Sequence, residues 1–138
     1  MRAGGSSSSG TQAPASIQDK NLDTPDETRE FVDKGKMDVV NLGGEVTVGR
    51  GIFEPGWKWS EHVKPIAQTD SCQVAHVGYV VSGRMKVVMD DGTERELGPN
   101  DAAVIPPGHD AWIEGDEPCV WLEFGGASQY ARGALQGG

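Results

Sequence analysis

Few basic residues, two cysteines and no long apolar run set the first limits on this chain. Lysine and arginine number 12 against 21 acidic residues, a formal charge of −9, and the basic side chains stand singly rather than in a stripe. That leaves no electrostatic footprint for nucleic acid or for an anionic membrane surface. Cys72 and Cys119 are far apart and form no CxxC pair, so neither a disulfide framework nor a zinc ribbon is signalled. No apolar segment approaches the roughly 20 residues that span a bilayer, and the opening "MRAGGSSSSGTQAPAS" has no signal-peptide core. The expectation is a soluble, cytoplasmic protein in a reducing compartment. A length of 138 residues gives room for one domain with a sizeable core.

Residues 1 to 22 hold hardly any large apolar side chain and are expected to form a disordered Gly/Ser-rich tail. In "TPDETREF" Thr24 stands as N-cap, Pro25 at the first helical position and Glu27 three residues after the cap, which predicts a short helix stopped by Gly35. From Lys36 onward, apolar runs are punctuated every 8 to 12 residues by Gly, Pro, Asn or Asp, the texture of an antiparallel all-β sandwich or barrel. Candidate strands are 37 to 42, 45 to 53, 57 to 63, 72 to 82, 84 to 90, 93 to 97, 101 to 106, 109 to 114 and 118 to 124. Asp91 and Gly92 form a hairpin-turn dipeptide. The folded domain is placed at 23 to 127, with a flexible tail at 128 to 138.

Histidine is scarce, and all three copies fall in informative places. Read as a strand, "GWKWSEHVKP" puts Lys58, Ser60, His62 and Lys64 on one face and Trp57 and Trp59 on the other. The two indoles are then expected on a covered outer face, against a second subunit or the leading helix. "CQVAHVGYVVSG" puts Cys72, Val74, His76, Gly78 and Val80 on a common face, an imidazole among small apolar groups.

These pieces resemble the cupin superfamily over roughly residues 45 to 125. The first family motif (glycine, five residues, HxH, a short gap, glutamate, six residues, glycine) is matched by Gly56, His62, Lys64, His76 and Gly83. The second, ending in PxG, two residues and histidine, is matched by Pro106, Gly108 and Ala111. The resemblance implies a cupin-type double-stranded β-helix, or jelly-roll barrel, here preceded by the short helix. In metal-binding members two histidines and a carboxylate of the first motif, with one histidine of the second, hold a divalent ion. This chain departs at Lys64, His76 and Ala111, and residues 65 to 75 fill a gap that the family keeps at three or four residues. His62 and His76 remain as ligand candidates. His109, two residues before Ala111 and so displaced by about 6.6 Å along an extended segment, is the third.

Three neutral imidazoles with open positions suit Zn, Fe, Ni, Mn or Cu. The leading expectation is a metal-dependent enzyme of oxygenase, isomerase or lyase type acting on a small, anionic molecule inside the barrel. His62, His76 and His109 would ligate the ion, and Lys64 would hold a substrate carboxylate. Two alternatives stay open: a metal-free enzyme using His62 and His76 as acid and base, and a non-catalytic small-molecule sensor. A homodimer is expected, with no nucleic-acid or membrane partner.

Overall fold

The structure, a computed structural model, describes residues 16 to 44 and 46 to 124. Of the expected tails, residues 1 to 15 and 128 to 138 lie outside the described residues; residues 16 to 22, the part of the 1 to 22 tail that is described, are irregular and exposed except for the half-buried Leu22. Among the described residues the order of elements is β1 (Glu27–Glu30), β2 (Gly35–Asn41), β3 (Thr47–Phe53), α1 (Trp59–His62), α2 (Lys64–Ala67), β4 (His76–Ser82), β5 (Arg84–Met89), β6 (Glu94–Leu97), β7 (Ala102–Ile105), β8 (His109–Glu114) and β9 (Cys119–Glu123). The strands form two antiparallel sheets, one ordered β1-β2-β3-β9-β4-β7 and one ordered β6-β5-β8. This is the all-β jelly-roll arrangement, with β9 inserted between β3 and β4.

Alternation along the strands builds the interior. On β4 His76, Gly78 and Val80 are buried while Val77 and Val81 face outward. β8 buries His109, Ala111 and Ile113, and β9 buries Cys119, Trp121 and Glu123. A period of two puts each of these triplets on one face of its sheet. At one end, Phe31, Phe53 and Trp57 pack ring against ring, with centroids 4.5 Å apart for Phe53 and Trp57 and 5.4 Å apart for the two phenylalanines. Each fully buried side chain of this kind contributes about 2 to 3 kcal/mol. Gly83 makes the tight turn from β4 to β5 at φ +80°, where a Cβ would meet the Pro118 carbonyl oxygen at 2.3 Å. No larger residue fits there.

Two expected elements are corrected. The segment after Thr24 is strand β1, paired with β2 from Glu27↔Val39 to Glu30↔Lys36, and not a helix. Thr24 spends its hydroxyl on the Asn21 carbonyl at 3.3 Å, and Thr28 donates to the buried Asp38 carboxylate at 2.8 Å. A capping signal on so short a segment loses to sheet pairing, because an isolated helix of this length is marginal in water. The second correction falls on 57 to 63, which is an extended entry followed by the one-turn helix α1. Trp57 and Trp59 are therefore both turned inward at 2 % exposure, and the sequence argument for an outer-face pairing through them falls away. No helix among the described residues is long and apolar enough to cross a membrane.

Candidate metal centre

A narrow cavity of about 30 Å³ lies in the interior, walled by residues of both sheets and of the α1 segment. That is room for about two water molecules. Phe53, Trp57, Trp59 and Trp121 give it aromatic walls, and Met37, Met85 and Val87 aliphatic ones. Its polar groups are His76, His109 and Glu123, and no lysine or arginine lines it.

Next to His76 and His109 sits Cys72, and one ligand atom from each of the three comes within 4.8 Å of the others. Cys72 belongs to the connection before β4 and is held in place by backbone hydrogen bonds. Its N–H donates to the His109 carbonyl at 2.7 Å, and its own carbonyl accepts from Gly108 N–H at 2.6 Å. Gly108, at φ +92°, supplies the left-handed turn after Pro106 and Pro107 that delivers His109 to this spot. His76 and His109 cross with ring centroids 5.2 Å apart.

Each imidazole is anchored through Nδ1. His76 Nδ1–H donates to Glu123 Oε1 at 2.8 Å, and His109 Nδ1–H donates to the Pro106 carbonyl at 2.8 Å. His76 Nε2 is then the nitrogen left 3.6 Å from Cys72 Sγ. Glu123 is fully buried and is itself fixed, by Trp121 Nε1–H at 2.6 Å and by the Val77 N–H at 3.2 Å. A carboxylate or carbonyl behind the ring fixes the tautomer and leaves Nε2 as the donor atom, the arrangement that metal-binding histidines share.

The charges follow from this geometry. Burial alone would push the Cys72 thiol up, but hydrogen bonds with His109 and His76 and the charge on the rings outweigh it and bring it down to about 6. Burial pulls His76 down, and the contacts with Cys72 and Glu123 outweigh that and raise it to about 9. Cys119 has no such partners, and burial pushes it up to about 12. Cys72 thus has imidazole neighbours that favour its thiolate, and Cys119 has only burial acting on it.

The residues named from sequence separate into two groups. His76 and His109 are brought together, with Ala111 also in the cavity wall. His62 is not brought to them: it ends α1, and its Nδ1 accepts the Lys58 backbone N–H at 3.0 Å. Lys64 opens α2 and is half-buried, away from the cavity lining. Asp110 on β8 accepts the Ser60 N–H at 3.1 Å and so serves the first turn of α1. The set that converges is Cys72, His76 and His109, one member different from the set of three histidines.

Two participants were missed, and one of them had a signal. Leaving six residues before Gly83 reaches His76, and a family gap of three residues before it puts the second ligand position on Cys72 and the first on Asp70. Anchoring the motif on Gly56 and His62 instead forced the long gap. Asp70 is exposed and outside the cluster. Glu123 carries no motif; only the alternation that buries Cys119 and Trp121 marks it as inward.

The family assignment rests on more than geometry. Residues 52–125 match the cupin domain family model, more than half of the chain, and the protein belongs to that family. No curated protein matches it in sequence. Among solved structures, it is similar to the polyketide cyclase RemF from Streptomyces resistomycificus, with a TM-score of 0.59 at 18% identity, covering 81% of this chain and 80% of that one. A sugar phosphate isomerase of the cupin superfamily from Silicibacter pomeroyi gives 0.56 at 23% identity, covering 77% and 73%. A protein with a double-stranded β-helix domain from Klebsiella pneumoniae gives 0.53 at 18% identity, covering 83% and 94%. At these identities the likeness is one of fold.

Proposed function

We propose that this cupin is a metal-dependent enzyme whose ion is held by Cys72, His76 and His109. The observation that carries the reading is the convergence of one sulfur and two imidazoles within 4.8 Å, with both Nδ1 atoms already committed behind the rings. Three protein donors leave a position for water or substrate. A divalent ion there supplies Lewis acidity and lowers the pKa of a bound water or substrate oxygen. The chain's own residues do the rest: Glu123 and the Pro106 carbonyl orient the two imidazoles, and Trp57, Trp59 and Trp121 give the site apolar walls.

The same walls bear on the substrate. An anionic substrate was expected from Lys64, which does not line the cavity. With no lysine or arginine there, a phosphate or free carboxylate would find no cation beyond the ion and His76. The reading is therefore of a small, largely apolar molecule that presents one donor atom to the ion. A sugar phosphate does not suit these walls. The acting residues are His76, Cys72 and His109, and His62 and Lys64 have no part in the proposed chemistry.

A second reading, a metal-free acid–base enzyme, is favoured by the 3.6 Å contact between Cys72 Sγ and His76 Nε2, a pair between which a proton can pass. Metal analysis of untagged protein separates the two. Near one transition-metal ion per chain, falling on His109→Ala, supports the metalloenzyme; less than about a tenth of an ion per chain, even after loading at micromolar metal, refutes it, since transition-metal sites bind far tighter than that.

A further inference from the structure

We propose that Cys72 makes this centre thiophilic: the ion it takes is zinc, cobalt or copper, bound through a thiolate and two imidazoles with no protein oxygen. The inference rests on the metal-site reading above and adds the identity of the donor set and the class of ion. Two observations carry it.

The first is the fate of the carboxylates. Glu123 is the one carboxylate in the cavity wall, and it faces the rear of His76. Its Oε1 takes His76 Nδ1–H and Trp121 Nε1–H, and its Oε2 takes the Val77 N–H. Bringing an oxygen to the ion would break the contacts that orient His76. The position where the family motif has glutamate is His76 itself, and Asp90, near the Cys72 connection, accepts the Ser71 hydroxyl at 2.9 Å. Hard ions such as magnesium and manganese want carboxylate, carbonyl and water; a thiolate with imidazoles suits zinc and copper.

The second is that Cys72 is placed in advance. Both its backbone N–H and its carbonyl are bound to the turn that carries His109, at 2.7 and 2.6 Å, so Sγ and His109 move as one unit. His76 is fixed independently from β9 through Glu123. The sulfur is therefore presented to the two rings by the fold and does not have to be recruited by the ion.

Every mixed nitrogen, oxygen and sulfur site ranks zinc above manganese to some degree, so preference alone is a weak test; exchanging sulfur for oxygen is a sharp one. Cobalt(II) titrated into the metal-stripped full chain is expected to give the intense near-ultraviolet thiolate-to-cobalt charge-transfer band. Cys72→Ser should abolish the band and weaken zinc by more than about 100-fold, beyond the loss that an outer contact costs, while manganese affinity holds or improves. Cys119→Ser should leave the band in place. Cobalt binding without a thiolate band in the wild-type protein overturns the inference while leaving the metal-site reading intact. Binding of neither ion overturns the metal-site reading itself. The wild-type spectrum decides the sulfur question even if the serine variant folds poorly.

Discussion

Glu123 stands behind the His76 ring, on the side away from Cys72. Its carboxylate fixes which nitrogen of His76 carries the proton, and two further donors fix the carboxylate. Glu123→Gln keeps an oxygen for His76 but sets an amide N–H₂ against the Val77 N–H, or the reverse. A zinc competition titration against a chromophoric chelator is expected to show affinity reduced by about 10- to 100-fold, with the fold kept. Unchanged affinity would show that the His76 ring is held by other means. At this scale the sequence was partly legible: His76 and His109 are scarce residues at motif positions, whereas Glu123 is one of 21 acidic residues and acquires its role only when β9 is laid beside β4.

At the level of elements, α1 explains why His62 resembles a ligand in sequence and is not brought to the centre. Its ring reaches back to the N–H of Lys58, the residue before the helix, as the glutamate of a capping box does. His62→Ala is expected to lower stability by about 1 kcal/mol, the worth of one such hydrogen bond, with metal content unchanged. A loss of metal in that variant would place His62 at the ion after all. The strands were legible because a period of two, broken by glycine and proline, survives in one sequence; eight of the nine expected strands overlap an observed one. The 57 to 63 segment was not, because inward indoles at i and i+2 look alike whether the chain is extended or enters a single helical turn. What decides it is nonlocal, including the Asp110 carboxylate on the Ser60 N–H and the Ile113 N–H on the Trp57 carbonyl at 3.1 Å.

Across the whole molecule, the three proposed ligands come from different parts of the fold. His76 belongs to the six-stranded sheet, His109 to the three-stranded sheet and Cys72 to the connection that bridges to β8. An ion bound there would staple the sheets together, and binding to the folded state alone would stabilise it by about 2.7 kcal/mol at 100 times Kd. Stripping the metal with a chelator should therefore lower Tm by roughly 5 to 15 °C for a domain of this size, reversibly on adding zinc. An unchanged Tm would mean that the sheets do not depend on the ion.

The central claim is that one ion sits among Cys72, His76 and His109. Anomalous diffraction from crystals of the zinc-loaded protein, recorded on both sides of the zinc edge, tests it most directly. The expected result is a single peak at about 2.0 to 2.3 Å from Cys72 Sγ and from one ring nitrogen each of His76 and His109. A peak elsewhere, or none in this cluster at full zinc loading, would contradict the account.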